Sequence, residues 1–202
     1  MKRLTLNQNR WEDHYSRKAK DEHFPARSVY KLQEIQNKHH LIEKGDKVLD
    51  LGCSPGSWLL FAANLVGDNG QVVGIDIKPV SIKIPPFVRV YTDDMLAAEN
   101  EFSVSVLIEE NFNVVLSDMA PATTGNKSVD AARSLNLCET ALSTAQKVLI
   151  PGGYFVCKIF QGEDFKLFSD SVRSCFKKHK IYKPKSSRKK SKEIYIIGLG
   201  KK

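Results

Sequence analysis

Long apolar runs are missing from this chain. No stretch approaches the roughly 20 residues that cross a bilayer, so no membrane association is expected. The opening Met1-Lys2-Arg3-Leu4-Thr5-Leu6-Asn7-Gln8 is basic but leads into no apolar core, and Glu12 and Asp13 do not suit a transit peptide. A cytoplasmic protein is expected. Cysteine is scarce: Cys53, Cys138, Cys157 and Cys175 stand far apart with no Cys-x-x-Cys pair, which argues against a zinc site or a disulfide framework and suits a reducing compartment. The five histidines show no metal-ligand spacing, and no metal is expected. Internal repeats, low-complexity tracts and linkers are also absent, so residues 1–202 are expected to form one domain.

Acidic residues are the minority charge, 23 against 31 lysines and arginines, which leaves a net +8 and a pI near 9.3. Such an excess suits a polyanionic partner, although solubility alone is served by it equally. Its distribution is more telling. Lys177, Lys178, Lys180, Lys183, Lys185, Arg188, Lys189, Lys190 and Lys192 crowd one stretch, and Arg10, Arg17, Lys18, Lys20, Arg27 and Lys31 mark the N-terminal region.

Segments 10–22 and 26–38 read as helices, the second with Val29, Leu32 and Ile35 at three-residue spacing and Ser28 near its start. Residues 1–40 are therefore read as an N-terminal helical extension. From Lys47 short apolar runs alternate with helix-length segments: Val48-Leu49, Val72-Val73-Gly74-Ile75, Val88-Arg89-Val90-Tyr91, Val114-Val115-Leu116 and Tyr154-Phe155-Val156. Helices are expected over 56–66, 102–110, 129–148 and 163–177. This alternation predicts an α/β, Rossmann-like, doubly wound parallel sheet. A short strand near Ile181-Tyr182 and a last strand over 193–198 are joined by too few residues for a helical crossover, so a terminal hairpin with an antiparallel strand is expected.

Chemistry gathers at the ends of these elements. After the first strand, Asp50-Leu51-Gly52-Cys53-Ser54-Pro55-Gly56 supplies glycines where a backbone approaches a ligand over the sheet edge. The spacing is Gly-x-x-x-Gly, without the third glycine of nicotinamide enzymes, which disfavours a dehydrogenase. Asp76 ends the second strand, placed to accept hydrogen bonds from a ribose diol, and Asp94 follows the third, within reach of an adenine amino group. Together they point to an adenosyl cofactor. Lys31, Asp118, Lys158 and Glu193 each sit at an element end facing one cleft. Singly, such groups are usually surface charge of little energetic worth. As a set they are not, because Asp118 lies in the apolar turn Ser117-Asp118-Met119-Ala120-Pro121 and Lys158 interrupts Val156-Cys157-Lys158-Ile159-Phe160, where desolvation is costly without a purpose. Trp58 is either a pocket wall or ordinary core.

Five ordered motifs resemble the FtsJ family of S-adenosylmethionine-dependent 2′-O-ribose RNA methyltransferases, most closely its bacterial large-subunit rRNA members. They are Ala26-Arg27-Ser28-Val29-Tyr30-Lys31-Leu32-Gln33-Glu34-Ile35, the Asp50–Trp58 segment, Ser117–Pro121, Lys158-Ile159-Phe160-Gln161-Gly162, and Ser186-Ser187-Arg188 with Ser191-Lys192-Glu193-Ile194-Tyr195. The resemblance covers nearly the whole chain; Ser57 stands where many members have a second glycine. It implies a seven-stranded, mostly parallel sheet and a catalytic tetrad at Lys31, Asp118, Lys158 and Glu193. It also implies S-adenosyl-L-methionine held by Gly56, Trp58, Asp76, Asp94 and Asp118. The implied substrate is the ribose 2′-OH of a uridine in large-subunit rRNA, in the A-loop of the assembled subunit, with no stable protein partner. For such chemistry Lys158 acts as a base only if its pKa falls from roughly 10.4 toward neutrality, and a neighbouring Lys31 would push it that way while nearby carboxylates oppose it. The rivals are a tRNA or mRNA-cap ribose methyltransferase, and a catalytically silent cofactor-binding ribosome-assembly factor.

Overall fold

The computed structural model describes residues 6–96, 107, 111–188 and 190–202, with side chains from residue 14 onward and at Leu107. Its apolar runs become β1 (Lys47–Leu51), β2 (Gln71–Asp76), β3 (Val88–Thr92), β4 (Phe112–Ser117) and β5 (Leu149–Phe160), followed by β6 (Phe176–Tyr182) and β7 (Glu193–Lys201). The helices are α1 (Leu6–Asp21), α2 (Val29–His39), α3 (Ser57–Val66), α4 (Lys127–Val148) and α5 (Phe165–Cys175). No described helix is long and apolar enough to cross a membrane.

All seven strands join one sheet in the order β3-β2-β1-β4-β5-β7-β6. β1 to β5 run parallel, and β7 runs antiparallel to both of its neighbours. The chain steps outward from β1 to β3, then returns across β1 to begin β4. This reversal opens a crevice at the carboxyl ends of β1 and β4, the place where such sheets bind ligands. Both faces of the sheet are covered. Leu49, Leu51, Val115, Phe155 and Cys157 pack with Ala141, Ala145, Phe168 and Val172 of α4 and α5. Val48, Val114, Leu116, Val156 and Tyr195 pack with Leu32, Ile35, Leu59 and Ala62 of α2 and α3. Burial on both faces is why the strands read as continuous apolar runs rather than as alternation.

The structure departs from expectation in several places. The helix expected over 102–110 lies outside the described residues apart from Leu107, which is buried. α5 ends at Cys175 rather than at 177, because β6 begins at once and is seven residues long instead of a dipeptide near Ile181-Tyr182. Its Lys177, Lys178 and Lys180 are exposed on a sheet edge, where lysine discourages pairing with another chain. Those lysines disguise the strand as a charge run. β5 begins at Leu149, well before Tyr154, and its register against β4 jumps from Phe112↔Leu149 to Val114↔Tyr154 around Gly152 and Gly153. Ser28 does not cap α2 through its side chain.

Candidate active site

Gly52 and Gly56, both at positive φ (79° and 112°), shape the turn between β1 and α3. A Cβ on Gly52 would lie 2.6 Å from Met119 Cγ, so only glycine lets the turn meet the segment after β4. The Gly52 and Cys53 amides both donate to the Ile75 carbonyl, at 2.8 and 3.2 Å, which ties the turn to β2. At the end of β2 the Asp76 carboxylate accepts from the Ser54 amide (2.9 Å) and the Lys78 amide (2.8 Å) and is thereby fixed at the cleft wall. Asp94, exposed after β3, accepts from the Leu96 amide at 2.9 Å. Asp76, Asp94 and Asp118 line one cleft of about 580 Å³, together with Gly52, Ile77 and Met119. That is the size of a pocket for a small molecule.

Gly56 and Trp58 stand behind this wall rather than on it. A Cβ on Gly56 would fall 2.4 Å from Ile82 Cδ1, so this glycine admits the chain that follows β2 against the start of α3. Trp58 is buried; its Nε1 donates to the Ser28 carbonyl at 2.9 Å, and its ring lies 5.8 Å from that of Tyr195.

Beside the cleft, two ion pairs gather the four residues Lys31, Asp118, Lys158 and Glu193. Lys158 is only 6% exposed; its Nζ lies 3.0 Å from Asp118 Oδ1 and also donates to the Asp118 carbonyl. Lys31 reaches from α2 to Glu193 Oε1 at 2.7 Å. The register Lys158↔Tyr195 and Phe160↔Glu193 explains the grouping, because Lys158, Tyr195 and Glu193 then share one face of adjacent strands. Below them the thiols of Cys138 and Cys157 donate to the Lys158 carbonyl, at 3.1 and 3.5 Å, and hold its backbone. Burial, and then their mutual contact, pushes the Cys157 thiol well up, which leaves it an inert donor.

Two further residues, one in contact with the site and one buried behind it, have no role in the sequence reading. The Tyr195 hydroxyl donates to Asp118 Oδ1 at 2.7 Å, the same oxygen that faces Lys158, and so sets the rotamer of that carboxylate. Burial, followed by the charges of Asp118 and Glu193, raises its pKa far above the usual phenol value, so it remains a donor. Asp50 is fully buried, and neither carboxylate oxygen has a hydrogen-bond partner among the described residues. Burial first, and then the charges of Asp118 and Asp76, hold its pKa well above the ordinary carboxylate range. The available signal was a lone charge inside Val48-Leu49-Asp50-Leu51, a position otherwise reserved for apolar side chains.

Residues 24–201 match the FtsJ-like methyltransferase family model. The "Ribosomal RNA large subunit methyltransferase E" of Desulforapulum autotrophicum is 57% identical over 200 residues, covering 99% of this chain and 98% of that protein. The protein of the same name from Desulfosudis oleivorans is 52% identical, covering 100% and 97%. Among solved structures, a ribosomal RNA methyltransferase from Plasmodium falciparum superposes with a TM-score of 0.75 at 25% identity, over 88% of this chain and 98% of that one.

Proposed function

The chain belongs to the FtsJ-like methyltransferase family, and from that premise we propose that it transfers the methyl group of S-adenosylmethionine to the ribose 2′-OH of a uridine in large-subunit rRNA. The target is the A-loop of the assembled subunit, and the modification supports ribosome maturation in the cytoplasm. In this reading residues 1–202 work as one domain whose N-terminal 40 residues contribute Lys31. What supports this reading is the adjacency of the carboxylate-lined cleft to the two ion pairs, with Asp118 both lining the cleft and pairing with the buried Lys158.

The cleft fits the cofactor. Asp76, its carboxylate already oriented by two backbone amides, would take the ribose diol, and Asp94 would take the adenine amino group. Ile77 and Leu96, 64% and 44% exposed, offer apolar surface for the base. When bound, the cofactor supplies a methyl group that needs little activation. The demanding event is loss of the 2′-OH proton as that oxygen attacks. Lys158 Nζ takes this proton, which requires its amine to be uncharged at that moment. Asp118 aims the amine, and Tyr195 keeps Asp118 in place. Lys31, held by Glu193, faces the negative charge that develops on the ribose oxygen.

The exposed lysines of β6 and of the loop after it, with Arg17 and Lys20 of α1, would bind phosphates without reading sequence. Selection of one nucleotide then falls to the shape of the folded rRNA. The deciding experiment is transfer of labelled methyl from S-adenosylmethionine to large subunits lacking ribose methylation, alongside naked rRNA and tRNA, with mass spectrometric mapping. Label in a single 2′-O-methyluridine of the subunit rRNA is expected. Label on tRNA alone would move the substrate, and no label on any RNA would overturn the enzymatic reading.

A further inference from the structure

Lys31 and Glu193 come from opposite ends of the chain, so their 2.7 Å contact depends on how α2 is held against the loop that delivers β7. That loop is polar, spans residues 183–192 and would be mobile if left unanchored. Its exit is tied down near β5: the Gln161 amide donates to the Lys192 carbonyl (3.1 Å) and the Glu193 amide to Ser191 Oγ (3.1 Å). Its entry is held by α2. Glu34 Oε2 accepts from the Lys185 amide at 2.7 Å, and Oε1 accepts from the Ser186 amide at 2.8 Å. The Tyr182 hydroxyl adds a longer contact to Oε2 at 3.3 Å. Just before α2, Arg27 Nη2 donates to the Ser186 carbonyl at 2.9 Å.

Glu34 lies one turn after Lys31, so the two side chains leave the same face of α2. We propose, on the basis of the function above, that Glu34 is a positioning residue: its carboxylate clamps the consecutive amides of Lys185 and Ser186 and thereby sets the Lys31–Glu193 pair for methyl transfer. A carboxylate suits this task better than an amide. Each of its oxygens accepts from a different backbone N–H, whereas glutamine would present an NH2 group to one of those donors.

The test uses Glu34→Gln with two readouts. The first is the rate at which Lys31 is acetylated by a water-soluble acylating reagent, followed by mass spectrometry; this needs neither cofactor nor RNA. The second is kcat for methyl transfer to large subunits, with the Kd for S-adenosylmethionine measured separately. Lys31 should label about fivefold or more faster, kcat should fall about tenfold, and the Kd should stay within about twofold. Unchanged Lys31 labelling would overturn the clamp, and so would faster labelling with unchanged kcat. If the unsubstituted protein modifies no RNA at all, the proposed function fails, while the labelling still decides whether Glu34 holds Lys31 in place. Should Glu34→Gln not fold, Glu34→Asp, which keeps the charge and shortens the reach, is read in the same way.

Discussion

The two halves of the sheet's carboxyl edge are built in opposite ways. On the β1–β2–β3 side the functional groups are held within one βαβ unit: Asp76 by the amides of Ser54 and Lys78, and the Gly52 turn by the Ile75 carbonyl. On the β5–β7–β6 side the polar contacts join distant segments: Lys31 with Glu193, Tyr195 with Asp118, and Glu34 with the loop after β6. The charges differ as well. Carboxylates line the first half, and exposed lysines surround the second. The first half is held mostly by contacts close in sequence, with Asp118 and Met119 closing the cleft from the end of β4, and the second exists only when the sheet is complete.

Lys158→Ala strikes the second half alone and has the largest expected effect. It should lower methyl transfer by about 10²-fold or more while leaving cofactor affinity within about twofold. A parallel loss of cofactor binding, read by calorimetry, would show that the halves are not separable. Asp76→Ala is the converse. It should weaken cofactor binding about tenfold, near 1.4 kcal/mol, with kcat at saturating cofactor nearly unchanged. Tyr195→Phe removes the hydroxyl that bridges the halves through Asp118, and urea unfolding should show a stability loss of about 1 kcal/mol.

The effect of Asp50 is nil near pH 4 and grows with pH. Its folded-state pKa lies above the unfolded value of about 3.9. Between those two values the folded chain keeps a proton that the unfolded chain has released, so stability falls as pH rises through that window. Asp50→Asn lacks this slope. The stability difference between the cofactor-free variant and the unsubstituted protein should therefore shift in the variant's favour by up to about 1.4 kcal/mol per pH unit above pH 4. A difference constant from pH 4 to 8 would mean that Asp50 is charged in the free protein.

Legibility in the sequence followed the same division. The glycine turn, Asp76 and Asp94 could be read from spacing, because each sits at the end of a recognisable apolar run within a repeating βα pattern. Lys31 and Glu193 stood out only together with motifs elsewhere in the chain, since neither has a local neighbour that reveals its partner. Tyr195 and Glu34 stand in the sequence only as letters within motifs, and Arg27 only as one more basic residue of the N-terminal region. Their meaning lies in hydrogen bonds to remote backbone and side-chain atoms, which no periodicity encodes. β6 was mostly missed because an edge strand needs no apolar outer face, so its alternation is hidden under lysine.

During synthesis β6 is made before β7, yet in the finished sheet it pairs only with β7, which must enter between β5 and β6. A nascent chain thus carries its cofactor cradle and Lys31 well before Glu193 and Tyr195 exist, and β5 waits with an open edge. Pairing of β7 both covers that edge and delivers Glu193 and Tyr195, so one strand guards against association and completes the site.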